Sequence, residues 1–483
     1  MPLLKDYFTR YGRGALIALA VIACAGFLVR AWVVVNPLAD PGDDALAYRA
    51  LAEALYVDGT FGYGKDSSSG PEFKSPSDWS PGAPLIYAGS YYLTGGVRDG
   101  VARGVEALFG TAAILLAFLL TARLLGPPRQ RNWRHALPPL VAAGLVAFYP
   151  PFIHSTGALM SEPPAFFMLP ASVLAFLWAD RRMGEATGNG ASGGKGSLWS
   201  RAWPWLLPGL GFGLTALIRP EYLSVCAAFT IFLLIRAWMK SGAGPALAAS
   251  ALFVLAALVP IVPWTVHNYH ELDRVVPLST GSGKALFTGT YYPGDGEYQQ
   301  VKAELYFQQT GNRLDPGSAE LEAVDPVPLF DRVANEYKAA NNLPNLDRDD
   351  ALGRLGKENL KEYLGDHPVG YVGMTFRKVG RMWSSGVGDA MSSPIGRAIQ
   401  ILLVLAGLAG LVLLAWRRRW EAIAVGLPIA TVTAVAAITL APARRNEILM
   451  TLVLPLAAVA LDALVNREPK PAGPAPDAAN ETS

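Results

Sequence analysis

Ten apolar segments constrain this chain more than any other feature. They run at about 13–36, 103–122, 137–153, 163–180, 204–219, 222–239, 246–266, 398–416, 421–440 and 447–465. Most are near the length an α-helix needs to cross the hydrocarbon of a bilayer. Water is absent there, so every backbone N–H and C=O must be satisfied within the chain, and such segments fold as helices. Segments 137–153 and 204–219 are short or interrupted by proline. With 52% hydrophobic residues over 483 positions, the composition is that of a polytopic membrane protein. A formal net charge of +2 offers nothing for nucleic acid to bind. Cys24 and Cys226 both fall in apolar runs, so neither a disulfide framework nor a zinc pattern is expected. Lys5, Arg10 and Arg13 precede the first run, and Ala23-Cys24-Ala25 has the look of a cleavage site. The run continues to Val35, however, too long for a signal core, so a retained helix is expected.

Charge orients the segments. Arg123, Arg129, Arg131 and Arg134 lie between the second and third, and Arg181, Arg182, Lys195 and Arg201 between the fourth and fifth. Arg236 and Lys240 follow the sixth, and Arg417, Arg418 and Arg419 the eighth. All fall on the side of the N-terminus, which the positive-inside rule makes cytoplasmic. Two large loops then face outward, 37–102 and 267–397. The expected organisation is a transmembrane module 1–266 that includes the first loop, an outer domain 267–397 of mixed composition, C-terminal membrane helices 398–466, and a polar, disordered cytoplasmic tail 467–483. A Gly/Ser-rich stretch at 184–199 reads as a flexible cytoplasmic linker. The expected fold is therefore all-α and polytopic, seated in the inner (plasma) membrane with its active site outside. No glycine signature for a nucleotide appears.

The first loop opens with Asp40-Pro41-Gly42-Asp43-Asp44-Ala45-Leu46-Ala47-Tyr48. Pro41 and Gly42 break the preceding helix, and the acids open a new amphipathic one, expected along the membrane surface. A polar stretch from Lys65 to Gly70 follows, and then a second apolar piece at 85–94, too short to span comfortably. Asp43 and Asp44 read either as helix caps or as reactive carboxylates. Three further features share the outer side: Glu162 opening the fourth segment, Arg219 in a tight hairpin, and Arg444-Arg445-Asn446 between the last two segments. Outer arginines run against the charge bias. They either bind headgroups and pair with acids, or hold a phosphate whose proton chemistry the carboxylates manage. That second reading is group transfer from a lipid-linked phosphate. A transporter or flippase of an anionic lipid-linked precursor is the alternative.

These positions resemble those of GT-C integral-membrane glycosyltransferases that use dolichyl- or polyprenyl-phosphate sugars, in particular the protein O-mannosyltransferase and aminoarabinose lipid A transferase group. Asp44-Ala45-Leu46-Ala47-Tyr48 is similar to the group's first-loop acidic motif, and Ser80-Pro81-Gly82-Ala83-Pro84-Leu85 to its Pro-Pro-Gly-Tyr-Pro-Leu stretch. Glu162 stands where the group has a second acid. Pro263-Trp264-Thr265-Val266-His267-Asn268 resembles Pro-Trp-x-x-Arg-Asn, with His267 in place of Arg. The resemblance implies a GT-C fold and inverting transfer to a lipid, glycan or protein acceptor. It implies Asp44 (or Asp43) as the base, with Glu162 as the second acid. Arg219 and Arg444 or Arg445 become the donor-phosphate contacts, and Tyr48, His267 and Asn268 the substrate-binding residues. No other cofactor is expected. Some members bind a divalent cation; beyond Asp43, Asp44, Glu162 and the scattered His154 and His267 the sequence offers no ligand cluster.

Overall fold

The computed structural model describes residues 2–38, 43–62, 76–126, 133–187, 197–466. Asp40 to Gly42, the Lys65–Gly70 stretch, Arg129, Arg131, Lys195, most of the 184–199 linker and the 467–483 tail lie outside them. Asp43 opens a helix, but its side chain is outside the description.

Among the described residues, twenty-one α-helices follow one another: α1 Pro2–Val35, α2 Asp43–Val57, α3 Gly82–Thr94, α4 Asp99–Leu125, α5 Trp133–Phe148, α6 Pro150–His154 and α7 Glu162–Thr187. Then come α8 Leu198–Ala202, α9 Leu206–Ile218, α10 Tyr222–Ser241, α11 Ala243–Leu272, α12 Ser282–Thr290, α13 Tyr298–Thr310 and α14 Ala319–Glu322. The last are α15 Pro326–Ala340, α16 Arg348–Asp366, α17 Pro368–Ser384, α18 Asp389–Ser392, α19 Pro394–Trp416, α20 Glu421–Ile438 and α21 Arg444–Val465. No strand occurs among the described residues. The stretch of mixed composition between α11 and α19 is helical as well.

Among the described residues, eight helices are long and apolar enough to cross a membrane: α1 from Tyr11, α4, α7, α10, α11, α19, α20 and α21. The protein is an integral, multi-pass membrane protein. The remaining two apolar segments became α5 with α6, and α9. Pro150 starts α6 and so divides the third segment, since proline cannot supply the N–H that would continue α5. α9, only 13 residues long, is packed between neighbours and closes on α11 through Gly209 and Gly213. A Cβ at either glycine would collide with the backbone at Phe253 or Ala257.

The bundle core is built from α4, α5, α7, α9, α10, α11 and α21, with Phe118, Phe166, Phe176, Phe212, Phe229 and Phe253 fully buried. Two smaller cores cap one end of it. α2 and α3 enclose Tyr48, Leu51, Trp79, Tyr87 and Tyr91, so α2 lies against a helix of its own loop rather than on the membrane surface alone. α12, α13, α15 and α16 enclose Phe287, Leu305, Phe330 and Leu352.

Candidate active site

Four helix starts meet at the capped end of the bundle: those of α2, α7, α10 and α21. Each contributes charge from its first turn or from the residues just before it. Proline sits where these turns have no use for an N–H: Pro163 in the first turn of α7 and Pro220 just ahead of α10. The unpaired N–H groups and dipole at a helix start favour anions. Four such starts around one point make a site suited to carboxylates and to phosphate.

The side chains there form a chain of ion pairs. Arg219 donates through Nη2 to Glu162 Oε1, and its Nη1 stands 4.0 Å from Glu221 Oε1. Arg444 pairs through Nη1 with Asp44 Oδ2, and its Nε is 3.9 Å from Glu162 Oε1. Arg444 therefore bridges the two acids. It is also the most open member, with 38% of its side chain exposed against 2% for Glu162. Tyr48 donates to Ser161 Oγ at 3.3 Å, and Ser161 Oγ lies 3.4 Å from Glu162 Oε2. Burial raises the Tyr48 phenol to about 12, so it stays protonated and donates. Arg445 donates to Thr439 Oγ1 at 2.8 Å and lies close enough to Glu221 that, against the upward push of burial, it joins Arg219 in holding that carboxyl below the usual range.

Two more of the residues singled out from the sequence have structural partners. Asn268 is buried and donates to the carbonyls of Val276 and Leu278, at 2.9 and 3.2 Å. Trp264 donates to the same Leu278 carbonyl at 2.6 Å, and His267 lies tilted over its ring. That motif holds the segment leading from α11 to α12. The Ser80-Pro81-Gly82 stretch is explained by contact: Gly82 packs on the Ile218 backbone, beside Arg219, where a Cβ would not fit. Among the described residues no three of His, Cys, Asp or Glu are grouped as a metal ion requires, and Asp44 and Glu162 each face a guanidinium.

Several residues at this end went unnoticed in the sequence. Glu447, three residues beyond Arg444, is buried and accepts from Ser155 Oγ at 2.6 Å. Its Oε2, together with Ser80 Oγ, Arg219 Nε, Tyr222 Oη and Asn446 Oδ1, is buried without a hydrogen-bond partner among the described residues. Glu106 of α4 accepts from the Tyr87 hydroxyl at 2.6 Å and from the N–H groups of Gly157, Leu159 and Met160 at 2.8, 3.3 and 2.8 Å. It shapes the loop that delivers Ser161 and Glu162, in which Leu159 takes a positive φ of 55°. Arg30 of α1 is fully buried and donates to the carbonyls of Val146 and Ala147, which the end of α5 leaves unpaired. A charge inside an apolar span was the available signal for both.

Lys378 of α17 is also buried, and donates to the Gly289 carbonyl at 2.7 Å. Burial, with Arg445 and Arg381 nearby, lowers its ammonium from the usual 10.5 to about 8. Between those values the unfolded chain binds more protons than the folded one, so stability rises with pH in that window. The burial cost is complete below about pH 8 and amounts to about 3 kcal/mol. Wild type should gain melting temperature relative to Lys378→Met as pH rises from about 8 to 10.5. Parallel pH profiles would show that this lysine is not the source.

No protein-family model and no curated protein sequence matches the chain. Solved structures do. The archaeal oligosaccharyltransferase AglB from Archaeoglobus fulgidus, in complex with an inhibitory peptide and a dolichol-phosphate, superposes with a TM-score of 0.54 at 15% identity. That match covers 94% of this chain and 50% of the other. The apo form of the same enzyme matches with a TM-score of 0.54 over 95% of this chain and 51% of that one. ArnT from Cupriavidus metallidurans bound to undecaprenyl phosphate matches at 0.38, with 15% identity over 93% and 77%. The fold is thus the GT-C architecture of the oligosaccharyltransferase. This chain spans about half the length of that enzyme.

Proposed function

We propose that the protein is a membrane glycosyltransferase that moves a sugar from a polyprenyl-phosphate donor to an acceptor at the capped end of the bundle, on the outer side of the membrane. The observation that carries this reading is the meeting of Asp44, Glu162, Arg219 and Arg444 at four helix starts. The kinship of fold with an enzyme solved with dolichol-phosphate supports it.

In this reading the acceptor oxygen attacks C1 of the sugar as the C1–O bond to phosphate breaks. The attack comes from the opposite face, so the sugar inverts. Asp44 takes the acceptor proton. The bonding electrons leave with the polyprenyl phosphate, and Arg219 and Arg444 stabilise the charge that grows there. Arg444 has two partners to choose from. When the donor phosphate arrives, the exposed guanidinium shifts from Asp44 to the phosphate, and Asp44 is released to act as base. Glu162 holds both arginines in place from below. Asp43 stands as the alternative base. The helices between α11 and α19 form the unit that selects the acceptor, and with α2 and α3 they cap the outer face. Placement of the charged groups at the bundle end, rather than at the midplane, favours transfer over transport.

The test is a transfer assay on the purified chain in detergent, with a panel of radiolabelled polyprenyl-phosphate sugars and membrane-extract acceptors. Label should leave the lipid and polyprenyl phosphate should accumulate. Movement of intact labelled donor across liposomes without cleavage would instead establish a flippase.

A further inference from the structure

α17 is apolar on two opposite faces. Its inward face carries Tyr371, Met374, Lys378 and Met382, all buried. Val369, Val372 and Phe376 form a second stripe at spacings of three and four, and they are 86%, 44% and 74% exposed. Val369 to Tyr371 and Phe376 to Lys378 are each steps of two residues, about 200° round a helix, so the stripes stand opposed. A surface helix of a soluble domain has one apolar stripe and a polar back. The second stripe of α17 therefore calls for an apolar partner.

Position identifies that partner. Asn446, the third residue of α21, donates to the carbonyls of Met382 and Ser385, the latter at 2.8 Å. Trp383 donates through Nε1 to Thr433 Oγ1, in the last turns of α20, at 3.2 Å. These bonds fix the C-terminal end of α17 at the level where two membrane spans end. The chain then enters α19, a third span, whose first turn exposes Ile395 by 75%. The outward stripe of α17 is thus continuous in sequence and in level with a surface made for lipid. Arg397 in α19 is exposed at the same level, and Arg377 beside Phe376 is exposed while paired with Asp295 Oδ1 at 2.5 Å.

We infer that α17 is an interfacial helix: its outward stripe is seated in the bilayer at headgroup depth, and its occupant is membrane lipid rather than a soluble protein. The inference is independent of the transferase reading. It makes α17 a clamp that holds the helices between α11 and α19 down against the bilayer.

Site-directed fluorescence in lipid nanodiscs tests it. In a Cys24→Ser, Cys226→Ala background, an environment-sensitive nitrobenzoxadiazole label is attached through Phe376→Cys or, as a second reporter on the same stripe, Val369→Cys. Lys357→Cys, exposed on α16, is the water reference, and Leu402→Cys, exposed on α19, is the lipid reference. Each labelled protein is first matched to the background by thermal melt. Labels on the α17 stripe should emit to the blue of the Lys357 position and be quenched by spin-labelled phospholipid, with little effect of iodide. Quenching by iodide but not by spin-labelled lipid, as at Lys357, would put the stripe in water and overturn the proposal.

Discussion

Asp44→Asn should lower turnover by about 100- to 10,000-fold, the usual span for loss of a general base, with donor binding unchanged or tighter. The substitution keeps size and removes the carboxylate that pairs with Arg444. Freed from that pair, Arg444 has only Glu162 to compete with an incoming phosphate. Arg444→Ala should act in the other direction, weakening donor binding and slowing transfer, because charge on the phosphate grows as the bond breaks. Arg219→Ala should in addition destabilise the protein. Its removal leaves Glu162, 2% exposed, without its main counter-charge, and an unpaired buried charge costs about 3–5 kcal/mol. If Asp44 only caps α2, Asp44→Asn should be mild, since Asn caps nearly as well. The measurement is transfer rate and donor affinity on folded variants, with the thermal melt itself as the further readout for Arg219→Ala. Near-normal turnover in folded Asp44→Asn would remove Asp44 as the base and leave Asp43.

Glu106→Gln should be as damaging, by a different route. Both carboxylate oxygens accept two donors each: Tyr87 Oη and Met160 N–H on one, Gly157 and Leu159 N–H on the other. A carboxamide replaces one of those oxygens with an NH₂ group. Turned toward Gly157 and Leu159, the NH₂ group faces two N–H donors. Turned the other way, it leaves the Tyr87 hydroxyl able to donate to the Met160 carbonyl at 2.5 Å and to accept from the NH₂ group, so only the Met160 N–H faces a donor, in a site with no exposure to water. The expected cost is about 1–3 kcal/mol, from a buried N–H donor left unmade. The loop 157–161 should loosen, and with it Ser161 and Glu162. Thermal melting in detergent should fall, and turnover should fall even at temperatures where the variant remains folded. A variant with wild-type melt and turnover would show that the loop keeps its shape without this carboxylate.

The membrane architecture was legible along the chain because its cause is local. A run of apolar residues excludes water, and the backbone then has to satisfy itself within a helix. The same logic marks the breaks, as at Pro150 between α5 and α6. Asp44, Glu162, Arg219 and Arg444 stood out because each is a charge at the edge of an apolar run. Their residue types and their order belong to the sequence. Arg445 looked equivalent to Arg444, but the two take different partners: Arg444 pairs with Asp44, while Arg445 donates to Thr439 and lies in the field of Glu221. The motif resemblance implied Asn268 as a substrate contact; what the sequence did not show is that its amide donates to the Val276 and Leu278 carbonyls.

Tertiary structure alone decided what the charges do to one another. Nothing in the spacing of Asp44 and Arg444, 400 positions apart, says that they pair, and nothing in Glu106 says that it accepts three N–H groups from a loop some fifty residues on. Such pairings depend on how whole helices pack. Packing is set by the summed fit of many side chains, such as Gly209 and Gly213 closing on α11, rather than by any one stretch. The sequence by itself determined a polytopic helical protein with acids and arginines at the ends of its spans. Only the assembled bundle decided that four helix starts share one point. A helix's field is strong only near its end, so the four ends can act on one point only once packing has brought them together.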